Sequence, residues 1–154
     1  MGIQIRDVIA ELEDWAPLAY QESYDNAGLI VGDRNSDCTG VLVCLDSIEA
    51  VIDEAIAKGC NLVVAHHPIV FSGLKSLTGS NYIERTIIKA IKNDVAIYAI
   101  HTNLDSVSDG VNKEICDRLG LKNQSILSPK KASLSKLVVF VPNENADQVR
   151  QAMF

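Results

Sequence analysis

Three short, continuously apolar runs, separated by helix-length amphipathic segments, are what most constrain this chain. Residues 41–45 (Val-Leu-Val-Cys-Leu), 62–65 (Leu-Val-Val-Ala) and 95–100 (Val-Ala-Ile-Tyr-Ala-Ile) lack polar alternation. Such runs suit strands covered on both faces. After the first run, Ile48, Val51, Ile52, Ala55 and Ile56 recur at helical spacing, as do Ile83, Ile87, Ile88 and Ile91 after the second. Alternating strands and helices imply right-handed crossovers, hence an α/β fold with a mainly parallel sheet flanked by helices.

Punctuation supports that order. Asp46 or Ser47 is expected to cap the helix after the first run, with Glu49 three residues beyond Asp46 as in a capping box. Gly59 is placed to end that helix in a left-handed cap. Residues 5–15 form an amphipathic helix striped by Ile5, Val8, Ile9, Leu12 and Trp15, and Pro17 ends it. Asp25-Asn26, with Gly28 and Gly32, reads as a turn entering a short strand. Residues 68–81 are a loop, 82–93 a helix, and 109–119 a further helix with Asp109 as its cap. Trp15, Tyr20 and Tyr24 read as packing residues rather than a base-stacking platform.

All three histidines of the chain lie at the C-terminal ends of predicted strands. His66-His67-Pro68 closes the second run, and His101 follows the third. In open α/β sheets that edge is where ligands bind. Neutral imidazole and carboxylate are the ligands of Zn, Fe, Mn and Ni sites, so His66, His67 and Asp105 are candidate metal ligands. Adjacent side chains on a strand point to opposite sides, so the pair chelates one ion poorly. Two ions, each addressed by one histidine, fit better. The bland alternative is a set of polar strand ends hydrogen-bonded to their neighbours. His101 is a candidate catalytic residue, orienting a ligand or moving a proton near neutral pH. Asp46 sits at the same edge, with its capping role as the competing reading. Asp25 and Asn26 could line the same pocket, the turn being the competing reading.

Composition narrows the function classes. The 154 residues carry a net charge of −6 and no basic cluster larger than Lys130-Lys131, which argues against general affinity for duplex nucleic acid. No apolar run reaches the roughly 20 residues of a membrane span. The first residues lack a secretion signal. The four cysteines form no C-x-x-C pair, so reduced thiols in a cytoplasmic protein are expected. A P-loop and a G-x-S-x-G elbow are both missing.

The segment Leu-Val-Val-Ala-His-His-Pro-Ile-Val-Phe ending at Phe71, and His-Thr-Asn-Leu-Asp ending at Asp105, resemble the two N-terminal motifs of the Nif-three-like family. Its members are commonly labelled GTP cyclohydrolase I type 2 homologues. Residues 25–29 (Asp-Asn-Ala-Gly-Leu) and 41–46 are similar to the family's opening segments. The resemblance implies a dinuclear divalent metal centre, with two ions per full-length subunit, and toroidal homohexamers. It also makes His66, His67 and Asp105 ligands. The family completes that site with a His and a Glu near its C-terminus, whereas this sequence has no histidine after His101.

Residues 136–142 (Lys-Leu-Val-Val-Phe-Val-Pro) promise a new strand, and 143–154 the start of a helix. This tail resembles the opening of an inserted PII-like or CutA-like domain. The expected organisation is an α/β metal-binding lobe over 1–128, a connector over 129–135, and a truncated insert over 136–154. The chain is therefore expected to be a fragment of a longer protein. Its expected function is that of a dinuclear-metal-dependent hydrolase acting on a nucleotide or similar small anionic substrate. The alternative is a non-enzymatic metal-binding regulatory or scaffold protein.

Overall fold

The computed structural model describes residues 2–129 and 137–153. Four strands form one sheet: β1 (Gly28–Val31), β2 (Val41–Asp46), β3 (Leu62–His67) and β4 (Ala96–Ala99), in the order β1-β4-β3-β2. β2, β3 and β4 are parallel, and β1 closes one edge antiparallel to β4. The expected α/β architecture with a mainly parallel sheet is therefore present.

Period-two alternation divides the core between the faces. Leu62, Val64, Ala96 and Tyr98 pack with Ile5 and Ile9 of helix α1 (Ile5–Trp15). Val63 and Ile97 point the other way. They meet Ile52 and Ala55 of α2 (Glu49–Lys58) and Ile87 and Ala90 of α3 (Tyr82–Lys92). Cover is incomplete at β2, where Val43 is 76% and Leu45 60% exposed. Among the described residues α1 buries the central strands only, so the continuous apolarity of β2 does not mean that both its faces are covered here.

Two caps differ from expectation. The N-cap of α2 is Ile48, with no side-chain cap bond. Glu49 instead accepts from Arg85 Nε at 2.8 Å, and Asp46 faces a histidine. Helix α5 (Val111–Arg118) starts after Gly110 rather than Asp109. A Cβ at Gly110 would stand 1.9 Å from the Leu104 carbonyl oxygen, so that turn needs a glycine. Gly59 does end α2 in the left-handed conformation, at φ 69°. Trp15 and Tyr24 are 45% and 63% exposed, which corrects their reading as packing residues.

Contacts divide the chain into Met1–Lys122 and Asn123–Phe154. In the second unit, α6 (Ala146–Met153) forms as the pattern predicts. Residues 137–142 carry no strand, although Leu137, Val138, Val139 and Phe140 favour one. A strand needs a neighbour for its backbone, and none pairs with this segment among the described residues. Lys136 and most of the expected connector, 130–135, lie outside those residues. No helix among the described residues is long and apolar enough to cross a membrane.

The loop before α3 is fastened by one buried carboxylate that the sequence did not single out. Glu84 accepts from the backbone N–H groups of Thr78 and Ser80, from both their hydroxyls, and from Asn81 Nδ2, all at 2.8–3.0 Å. Asn81 Oδ1 in turn caps the helix by accepting from Glu84 N. The two backbone donors pull the Glu84 pKa from 4.5 to about 2, against the opposing effect of burial and with help from the hydroxyls. A depressed folded-state pKa means stabilisation that is complete above the unfolded value and lost as pH falls through the folded one. The melting-temperature advantage of the wild type over Glu84→Gln, measured at neutral pH, should therefore shrink as pH is lowered from about 5 towards 2. An advantage independent of pH would contradict this account.

Gly32 ends β1 at φ 104°, and a Cβ there would lie 2.6 Å from that of Ala96. Gly32→Ala combines left-handed strain with overpacking. It should cost on the order of 3 kcal/mol in urea unfolding.

Candidate metal centre

The parallel register brings the polar residues to one edge. β3 runs on through His66 and His67, so these are the last residues of the strand and not residues beyond it. Asp46 of β2 is the register partner of His67. Ile100 N donates to Ala65 O at 2.9 Å, which extends the β3–β4 ladder to the residue before His101.

His66, His67 and His101 come together there. Their ring centroids are 5.0–5.6 Å apart. Each offers a ring nitrogen such that the three nitrogens lie within 4.8 Å of one another. Small side-chain rotations bring such donors onto one ion with bonds of about 2.1 Å. The adjacent pair is expected to chelate one ion poorly, yet where the sheet ends their rings stand 5.0 Å apart, each with a nitrogen near the other's. Asp105 sits beside this triad, with Oδ1 3.9 Å from His66 Nε2.

Every Nδ1 in the triad is already engaged. That of His66 is 3.0 Å from the Ile100 carbonyl oxygen, that of His67 2.8 Å from Asp46 Oδ1, and that of His101 2.8 Å from Asp25 Oδ1. A carbonyl only accepts, so His66 Nδ1 carries a proton, and in the neutral ring Nε2 presents a lone pair. Carboxylates impose the same tautomer on neutral His67 and His101. An N–H held by a carbonyl or carboxylate, with the opposite nitrogen free, is the usual arrangement around metal-bound histidine.

The segment from His101 to Asp105 gives each residue a task. Asn103 is fully buried; its Oδ1 accepts from His101 N at 2.9 Å, and its Nδ2 donates to Ala16 O at 2.6 Å. Thr102 donates to Asp25 Oδ2 through its N–H at 3.0 Å and through its hydroxyl. The same hydroxyl accepts from Glu22 N. Leu104 packs against the α1 side of the core. Residues Thr102–Asp105 form a single-turn helix, α4, so Asp105 is neither a loop residue nor a helix cap.

Asp25 is the partner that the sequence leaves undecided. Its side chain has no exposed surface. Burial raises its pKa, but the hydrogen bonds from Thr102, His101 and the Asn26 backbone outweigh that and leave it lowered. A buried carboxylate is tolerated only when it is paired in this way. Asp46, the other residue with two readings, orients His67 and does not cap α2. A cleft of about 270 Å³ opens beside His67, lined by Asp46, Ser47, Pro68 and Tyr82 among others.

Comparison with known proteins agrees with this architecture. The family model described as Duf34/NIF3 (NGG1p interacting factor 3) matches residues 3–153. A GTP cyclohydrolase 1 type 2 homolog of Halalkalibacterium halodurans is 47% identical over 95% of this chain and 40% of its own length. The homolog of Clostridium acetobutylicum is 37% identical over 99% of this chain and 60% of its own. The chain thus spans 40–60% of the length of these curated relatives. The crystal structure of a Bacillus cereus protein related to NIF3 superposes with a TM-score of 0.79 at 39% identity, covering 82% of this chain and 35% of that one. Reduced HcgD from Methanocaldococcus jannaschii gives 0.73 at 28% identity, over 80% of this chain and 49% of that one. With the match running through both histidine motifs and nearly the whole chain, the protein belongs to the Duf34/NIF3 family.

Proposed function

We propose that this chain contributes the histidine side of a divalent-metal centre in a hydrolase-like protein. The observation that carries the reading is the occupation of all three Nδ1 atoms by acceptors, which turns His66, His67 and His101 into preset Nε2 donors. Neutral imidazole nitrogens gathered in one small volume are the donor set that divalent transition metals take. On this reading His101, expected to orient a ligand or move a proton, joins the ligand set. Asp105, whose Oδ1 lies 3.9 Å from His66 Nε2, is the carboxylate that would join them as a ligand.

A bound ion would supply Lewis acidity towards a carbonyl, imine or phosphoryl group. The chain's own residues do the positioning. Asp46 and Asp25 hold His67 and His101 in orientation and offset the charge of the ion, while Ile100 does so for His66 without adding charge. The cleft beside His67 gives a small substrate access to that edge. The relatives' name, GTP cyclohydrolase 1 type 2 homolog, suggests a nucleotide as the substrate. In this reading two ions would be held per full-length subunit, their remaining ligands coming from the part of full-length relatives that this chain does not span.

The test is Zn²⁺ titration of the metal-free chain by calorimetry, with elemental content measured after dialysis. Binding is expected, and His67→Ala should weaken it by well over tenfold. Asp46→Ala leaves all the ligands in place and removes only the brace of His67, so a loss of about 10- to 100-fold is expected. Unchanged Zn²⁺ affinity in His67→Ala would refute the site.

For turnover, hydrolysis of a nucleotide panel by a full-length protein carrying these residues should require His66 and His67. Metal binding without any such turnover would favour the regulatory or scaffold reading.

A further inference from the structure

An exposed aromatic side chain, Phe71, stands beside the histidine triad, and a second, Tyr24, stands beside Phe71; neither takes part in holding the histidines. Phe71 is 51% exposed and Tyr24 63%. Their ring centroids are 6.2 Å apart, and Phe71 meets His101 edge-on at 6.3 Å. Single exposed apolar residues are ordinary. These two come from distant parts of the chain and converge at one place.

They are also held there. Asn26, two residues after Tyr24, donates through Nδ2 to the carbonyl of Val70, the residue before Phe71, at 2.7 Å. Asp25, next to Tyr24, is fixed by His101 and Thr102. Polar ties thus connect the two aromatic-bearing segments to each other and one of them to a candidate ligand. Rings presented on a fixed frame, part exposed, are preorganised to receive a partner. Phe71 is thus the aromatic neighbour of one member of the triad, His101.

We propose that Phe71 and Tyr24 form a stacking subsite for a planar heteroaromatic ring of nucleobase size, carried by a ligand bound at the triad. The inference rests on the metal reading above, and it adds what the ligand must contain. The two rings are tilted by 50° to each other, so a flat ring would stack on one of them with the other at its edge, an arrangement that favours it over an aliphatic or purely sugar-phosphate ligand. Neither residue supplies a fixed hydrogen-bond pattern, so the subsite selects for a ring without selecting one base.

The experiment uses the full chain loaded with Zn²⁺, with guanosine monophosphate and ribose 5-phosphate as probes. Zn²⁺ uptake is measured first, so failure of the metal reading shows before any nucleotide is added. The wild type should bind guanosine monophosphate more tightly than ribose 5-phosphate. Phe71→Ala and Tyr24→Ala should each weaken guanosine monophosphate binding by about fivefold or more. Both should leave ribose 5-phosphate binding, Zn²⁺ stoichiometry and melting temperature unchanged, and Phe71→Tyr should retain the preference. Equal affinity of the wild type for the two probes overturns the proposal. So does a Phe71→Ala effect that is the same on both, or one seen only as a change in oligomeric state, which would mean that another protein surface covers the rings.

Discussion

The β2–β3–β4 register is the constraint on which the candidate site depends. In a parallel ladder, partners side by side project to the same face, so pairing Asp46 with His67 and Ala65 with Ala99 decides which acceptor each imidazole finds. A slip of one residue would send the two histidines to opposite faces from those they now occupy. The same slip would put Leu62 and Val64 where Val63 stands, against the wrong helices. Core packing and site geometry are therefore enforced by the same pairing: the apolar residues hold the register, and the last two residues of β3 take their orientation from it.

A second layer of control lies in buried polar groups. Asp25 and Asn103 have no exposed side-chain surface, yet hydrogen bonds from neighbouring segments satisfy both. Asn103 ties His101 to the end of α1, and Asp25 ties it to the turn before β1. Removing either would strand several donors or acceptors in the interior, at about 1–3 kcal/mol for each group left unpaired. The site is thus stiff because its supports cannot be loosened one at a time. Glu84 acts in the same way for the loop that carries Phe71, fastening its far end to α3.

Much of this is legible in the chain itself, and the failures share a cause. The three parallel strands, α1, α2 and α3, the left-handed Gly59 and the gathering of histidines at one sheet edge all follow from periodicity and turn residues. The capping box at Asp46 is a local signal overridden by a distant partner, a histidine on the next strand, and the cap expected at Asp109 falls one residue later, at Gly110. The exposed face of β2 and the missing strand at 137–142 reflect neighbours that an apolar run anticipates but cannot supply. Tyr24 reads as a packing residue because nothing local marks an aromatic side chain as exposed.

By itself, then, the sequence determined the order of the elements, the class of the sheet, and that each of His66, His67 and His101 would stand at the C-terminal end of a strand. Contacts within a few residues encode those features, and such contacts form wherever the chain goes. Only the tertiary structure decided which nitrogen each imidazole presents. That choice needs Asp25 to reach His101 across 76 positions and Asp46 to reach His67 across 21. Those pairings exist only after the loops between them have closed and the parallel register has formed, and no spacing along the chain records them.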